Sequence, residues 1–192
     1  MHPLNTYLQK LNIKVTSALQ TQFQAFQSRK LEKGEFLVRE NQIADFIAFI
    51  VKGKIRHFYN IEGKEYTRWV SLENNFVTAF ISFVHGTPSH ENLECIEEVE
   101  LLVLNREAFF QLKKNANEIQ ALWVTSLEQE MVGYEQRVMQ LITTNAEQRY
   151  LNFMETYPHF IQEVPQKYLA SMLGIEPRHL SRIRKKLATG GK

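Results

Sequence analysis

Arg178, Ser181, Arg182 and Lys185 recur at intervals that put them on one side of a helix, with His179 and Arg184 at its borders. A guanidinium on such a face can pair bidentately with O6 and N7 of guanine in the major groove, which places base reading on Arg178 and Arg182. His179 and Ser181 offer further polar contacts. Lys167, Arg184 and Lys185 suit phosphate oxygens, which fix register without reading sequence. The other side of the same helix is apolar, with Leu180, Ile183 and Leu187 at spacings of three and four.

The stretch before it supplies the support. Leu169, Ala170 and Leu173 give a first short helix an apolar face, and Gly174 can take the left-handed conformation that ends a helix. Ile175 plugs the turn. Glu176 and Pro177 restart the chain, because proline suits a first helical turn and an acid there suits the helix dipole. Two helices about a glycine turn, the second loaded with cations, form a helix-turn-helix pattern, whose second helix enters the major groove. A plain helical hairpin with a solvated basic face is the alternative. The agreement of packing pattern, turn and charge favours the first reading.

Charge is divided accordingly. Residues 164–192 hold seven cations and one anion, a net of +6, which leaves −4 on the rest of a chain whose total is +2. An acidic body with a basic end meets a polyanion through that end alone. With 192 residues and 44% hydrophobic content the chain can build one or two cores. A single cysteine, Cys95, excludes an intrachain disulfide and reads as a small buried apolar residue. His85 and His90 with Cys95 match no zinc spacing, so no metal is expected. No apolar run of spanning length and no signal-peptide pattern occur, so no membrane and a cytoplasmic location are expected. Neither a nucleophile–base pair, a P-loop nor a dinucleotide fingerprint appears, and the chain is not read as an enzyme.

Along the chain, Leu4, Leu8, Leu11, Val15, Leu19, Phe23 and Phe26 predict a helix over about 3–26. From Ser28 to Asn105 short β-rich runs follow: 36–38, 46–51, 54–59, 66–70 and 99–104. Lys52-Gly53 and Glu62-Gly63 read as hairpin turns, and many short strands argue for a small barrel or roll. The acidic run 94–100 reads as a solvated strand edge. Residues 106 to about 142 return to helix. There Val124, Leu127, Met131, Tyr134, Val138 and Leu141 form a heptad seam that packs either on a second copy or on the chain's own roll. A further helix over about 146–156 ends at Tyr157-Pro158. Trp69 and Trp123 read as core or interface packing.

This order, with Leu31–Glu40, Phe49–Arg56 and Tyr168–Ile183 as the carrying runs, resembles the cyclic-AMP receptor protein / fumarate–nitrate reductase regulator (CRP/FNR) family over essentially the whole chain. The resemblance implies an α+β fold. A cyclic-nucleotide-binding-like β-roll with its N-terminal helix spans 1–112, a dimerisation helix 113–143, and a helix-turn-helix DNA-binding domain 144–192. That last domain is winged-helix-like with its wing truncated, since only five residues follow Leu187. The resemblance also implies a homodimeric transcription regulator that meets double-stranded DNA and RNA polymerase. Its base-contacting positions fall on Pro177, Arg178 and Arg182. An effector pocket falls on Ala79, Ser82, Ser89, His90 and Glu91. Ala79 stands where the family has the ribose-holding glutamate and Ser89 where it has the phosphate-binding arginine, so cyclic AMP binding is not expected. The effector is unidentified. The pocket reads as taking a neutral or cationic ligand near Glu91, or as collapsed onto Phe80 and Phe83. The alternative function is a ligand-sensing module whose basic end contacts a protein.

Overall fold

The computed structural model describes residues 3–10 and 15–189. Leu11 of the N-terminal periodicity and the terminal Lys192 lie outside the described residues. Two short helices, α1 (Leu4–Lys10) and α2 (Ser17–Phe23), stand where one long helix is expected from the spacing. The second has its own start: the Thr16 side chain accepts the amide of Leu19, the N-cap geometry that threonine favours.

Eight strands follow: β1 (Gln27–Leu31), β2 (Phe36–Val38), β3 (Phe46–Lys52), β4 (Ile55–Ile61), β5 (Lys64–Ser71), β6 (Phe76–Val77), β7 (Asn92–Cys95) and β8 (Val99–Asn105). They form two antiparallel four-stranded sheets, ordered β1-β8-β3-β6 and β2-β7-β4-β5. The roll's core lies between them, with Val38, Ile50, Ile55, Leu93, Cys95, Val99 and Leu101 buried. Strand β3 reads as an unbroken apolar run because both its faces are covered. Ala48 and Ile50 join the roll core, while Phe49 packs against Leu4, Leu8, Leu19 and Phe23 of the N-terminal helices.

Two turn expectations part company here. Glu62-Gly63 is a hairpin turn between β4 and β5, both residues having positive φ as a type I′ turn requires. Lys52-Gly53 is not a hairpin: it carries the chain from one sheet to the other. Gly53 has φ +92°, and a Cβ there would lie 2.3 Å from the Glu98 carbonyl oxygen. The acidic run 94–100 is not a sheet edge either. It links β7 and β8, each flanked by strands on both sides, and its acids pair with Arg56, Lys54 and Lys30. Strand β1 escapes the sequence pattern because four of its five residues are exposed on an edge and polar.

Strands β4 and β5 are in register except at one point. His57 faces Trp69 and Phe58 faces Thr67, so Arg68 is an extra residue, a β-bulge.

A short helix α3 (Phe80–His85) precedes β7, and α4 (Arg106–Asn115) follows β8. The long helix α5 (Asn117–Thr143) is separate from α4, because Ala116 takes an extended conformation between two asparagines, both weak helix formers. One face of α5 packs on its own chain through Ile119, Leu122 and Trp123, and Ser126 hydrogen-bonds Tyr7 at 2.8 Å. The chain ends in α6 (Ala146–Thr156), α7 (Phe160–Glu163), α8 (Gln166–Met172) and α9 (Pro177–Ala188). These helices share one apolar cluster with the end of β5 and the residue after it: Val70 and Leu72 are buried beside Tyr150, Phe160, Leu169, Leu180 and Ile183. The helical end is therefore docked on the roll.

Candidate nucleic-acid interface and effector pocket

Helices α8 and α9 meet in a Schellman turn. Ile175 N–H donates to the Ala170 carbonyl, Gly174 N–H donates to the Ser171 carbonyl, and Gly174 has φ +63°. Pro177 opens α9, where its missing N–H costs nothing. Burying Leu169, Ala170, Leu180 and Ile183 fixes the angle between the helices, each large apolar side chain contributing about 1.5–3 kcal/mol. The consequence is an exposed outer face. Arg178, His179, Ser181, Arg182 and Lys185 are exposed and Arg184 is half-buried. Among the described residues, Arg178, Arg182, Arg184 and Lys185 make no ion pair, whereas Lys186 is engaged by Glu147 at 2.9 Å. Lys167 is exposed on α8, its ammonium over the Tyr168 ring.

The turn is held from behind by two arginines that the periodicity of the sequence did not single out. Arg149 of α6 donates from Nε to the Leu173 carbonyl at 2.9 Å and from Nη1 to the Thr144 carbonyl at 2.6 Å. Arg137 of α5 donates from Nη2 to the Met172 carbonyl and from Nη1 to the Arg68 carbonyl, both at 2.6 Å. Cations at the carbonyl end of a helix also suit its dipole. Both arginines sit at polar intervals of otherwise ordinary helices, so only tertiary contact reveals them.

The residues expected to line an effector pocket do not act together. Ala79 caps α3 without a side-chain bond. Ser82 staples a loop, accepting from Ala44 N–H at 2.9 Å and donating to the Thr87 carbonyl at 2.5 Å. Ser89 is buried and closes on its own loop, donating to the Glu91 carbonyl at 2.7 Å. His90 is exposed. Phe80 does not fill the pocket: it is 43% exposed and stacks on Trp123, whereas Phe83 is fully buried in the roll core beside Phe109 and Phe110.

Glu91 is buried, but it is not free for a cationic ligand. Arg68 Nε donates to its Oε2 at 3.0 Å and Nη2 to its Oε1 at 3.3 Å. Nη2 also approaches His57 Nδ1 at 3.1 Å, and Nη1 donates to the Tyr134 hydroxyl of α5. A guanidinium can only donate, so Nδ1 accepts, and His57 is the neutral tautomer whose Nε2–H donates to Ser71 Oγ at 2.9 Å. Burial pushes His57 below its ordinary pKa, and Arg68 adds to this against the pull of Glu91. Burial also works against the charge on Glu91, but Arg68, joined by His57 once acid protonates it, outweighs burial and holds the carboxyl below its usual range.

The seam of α5 splits. Val124, Met131 and Val138, seven apart, are 45%, 66% and 53% exposed, as are Val132, Met139 and Ile142 nearby. Tyr134 bonds Arg68 and Leu141 reaches the Gly174 turn, yet both stay as exposed as Val124, at 44% and 45%, and only Leu127 is half-buried. Among the described residues no group of three His, Cys, Asp or Glu is placed to hold a metal. Cys95 is buried, and burial pushes its thiol up to about 11. No helix among them is long and apolar enough to cross a membrane.

Residues 28–116 match the cyclic nucleotide-binding domain family. As a whole the chain has the fold of CRP/FNR-family regulators. It is similar to FixK2 from Bradyrhizobium japonicum, at 15% identity and TM-score 0.74, covering 86% of either chain. It is also similar to a CooA mutant from Carboxydothermus hydrogenoformans, at 15% identity and TM-score 0.73, covering 95% of this chain and 84% of that one. A third is the c-di-GMP-responsive global regulator CLP from Xanthomonas campestris, at 14% identity and TM-score 0.73, covering 92% and 93%. No curated protein matches the sequence.

The His57 environment sets an acid limit on stability. Its folded pKa lies below its ordinary 6.5, so neutral His57 supports the fold fully above about pH 6.5, and that support is lost as pH falls further. Glu91, with a folded pKa below 4.5, loses its contribution only at lower pH. The thermal unfolding midpoint should fall between about pH 7 and pH 5, and His57→Gln should flatten that fall. An unchanged slope in the variant would show that His57 is not the group that titrates.

Proposed function

We propose that the protein is a dimeric, sequence-specific DNA-binding transcriptional regulator whose roll does not use cyclic AMP. The observation that carries this is the outer face of α9: Arg178 and Arg182 stand exposed opposite a buried Leu180–Ile183 face, on a helix fixed by the Gly174 turn. In this reading 1–112 is the effector domain, 113–143 the dimerisation helix and 144–192 the DNA-binding domain. Lys167, Arg184 and Lys185 contact phosphates. The work is done in the cytoplasm, where the regulator meets RNA polymerase.

The dimer reading rests on α5. Its Val124–Met131–Val138 stripe faces water, and covering such side chains contributes about 1.5–3 kcal/mol each. A two-fold partner also matches the two half-sites that helix-turn-helix proteins read. The cyclic nucleotide reading fails on charge. Ala79 and Ser89 offer none, and Arg68, the part-buried cation beside Glu91, is held by that carboxylate. Charged hydrogen bonds contribute about 1.5–3 kcal/mol each, so two lost contacts cost at least about a hundredfold in affinity.

Three outcomes are expected. Arg182→Ala should cost about 1–3 kcal/mol on a selected operator and much less on random DNA; equal losses in an electrophoretic shift would remove the base-reading role, and no retention of DNA at all would favour a protein partner for the basic end. Met131→Glu and Val138→Glu should sediment as monomers, and variants that stay dimeric would place the interface elsewhere. Calorimetry with cyclic AMP and cyclic GMP should register no binding, whereas a micromolar or tighter dissociation constant would mean that another cation receives the phosphate.

A further inference from the structure

Strand β5 carries the pocket on one side and the helical end on the other, and the bulge at Arg68 lies where the two meet. A bulged residue is left out of the ladder, which re-aims its side chain and frees its main chain. The Arg68 side chain turns to Glu91, and its carbonyl accepts from Arg137, which also grips the Met172 carbonyl. Its neighbours bind the helical end directly. Thr67 N–H donates to Ser171 Oγ of α8 at 2.8 Å, and Trp69 lies with ring centroids 5.0, 5.6 and 6.4 Å from Phe160, Tyr157 and Phe153. Three consecutive residues therefore dock the helical end, and the middle one is fixed by its side-chain partners.

We propose that Glu91 is a built-in effector: bonded to Arg68 inside the roll, it holds the helical end in one pose through the Arg68 carbonyl, Arg137 and the Met172 carbonyl, with no small molecule required. The carboxylate takes the place in the roll that a bound anion would have to contest. Without it Arg68 is a largely buried cation lacking its counter-charge, and the bulge must rearrange to expose it further. That rearrangement moves the carbonyl on which Arg137 closes. Arg137 is thus a positioning residue for the recognition helix, acting from α5 and touching no base. The docked pose leaves Arg178 and Arg182 exposed, as reading DNA requires.

The inference uses the DNA-binding reading only for its second readout. Trp69 becomes the sole tryptophan of the full-length protein in a Trp123→Phe background, and its emission reports docking whether or not DNA binds; because Arg137 lies 5.9 Å over the Trp69 ring, the Glu91 variants decide the outcome. Glu91→Gln and Arg137→Gln should each shift Trp69 emission to longer wavelength and raise its quenching by iodide. Their double variant should go no further than either single change, because both break one linkage. Operator affinity should fall about tenfold in each, and Arg137→Lys, which keeps the charge but loses the two-pronged fork, should not restore it. If Glu91→Gln costs the roll its β signal in circular dichroism, the pair Arg68→Met with Glu91→Leu, which strands no charge, serves instead and should return Trp69 to its docked emission, because the bulge then has no charge to expose; an undocked Trp69 in that pair would overturn the proposal. Trp69 remaining docked in the Glu91→Gln variant, or additive effects in the double variant, would overturn the proposal. A Trp69 response without any operator binding would sink the DNA reading and leave the linkage standing.

Discussion

A guanidinium drawn largely out of water by a β-roll has to meet a carboxylate, and much of this molecule's arrangement follows from where Arg68 meets Glu91. Removing one partner of such a pair is destabilising, because the other charge is left largely out of water. The surrounding groups conform to it: His57 is held neutral to accept from the guanidinium, Ser71 accepts the imidazole's remaining proton, and Tyr134 brings the long helix to the same point. The bulge that aims Arg68 inward also offers its carbonyl outward. One residue thereby ties the inside of the roll to the helix beside it.

Helix α5 has two sides with opposite needs. Ile119, Leu122, Trp123 and Ser126 are satisfied within the chain, and Arg137 is bonded twice. Val124, Met131, Val138 and Ile142 remain in water. A monomer that leaves this much apolar surface on one stripe has a strong physical incentive to cover it, and a second α5 is the surface of matching shape and period. The same helix grips the Met172 carbonyl at the C-terminal end of α8, so the covering of one side and the posture of the helical end share a single rigid rod.

The outer face of α9 is built by exclusion. Its apolar side is consumed by the cluster around Leu169, Leu180 and Ile183, and Lys186 by Glu147. What is left pointing outward is a row of cations without acidic neighbours in bonding range among the described residues, which is the surface a polyanion fits.

The amino-acid sequence by itself determined the local devices. Period-two and period-three-to-four patterns located the longer strands and helices, Gly63 and Gly174 placed turns that need positive φ, and the Leu180–Ile183–Leu187 spacing placed the basic face outward. These are short-range matters, decided by backbone sterics and side-chain period. The missing charges at Ala79 and Ser89 were legible because a residue type alone sets its charge. Only the tertiary structure decided what depends on residues far apart in the chain: that Gly53 crosses between sheets, that Ala116 splits the 106–143 helix, that Trp69 belongs to the helical end, and that Glu91 already has its cation in Arg68, 23 residues away. The β-bulge is the clearest case. Nothing in the run Tyr66–Val70 marks Arg68 as the extra residue, because a bulge is a property of the pairing between two strands and exists only once β4 lies against β5.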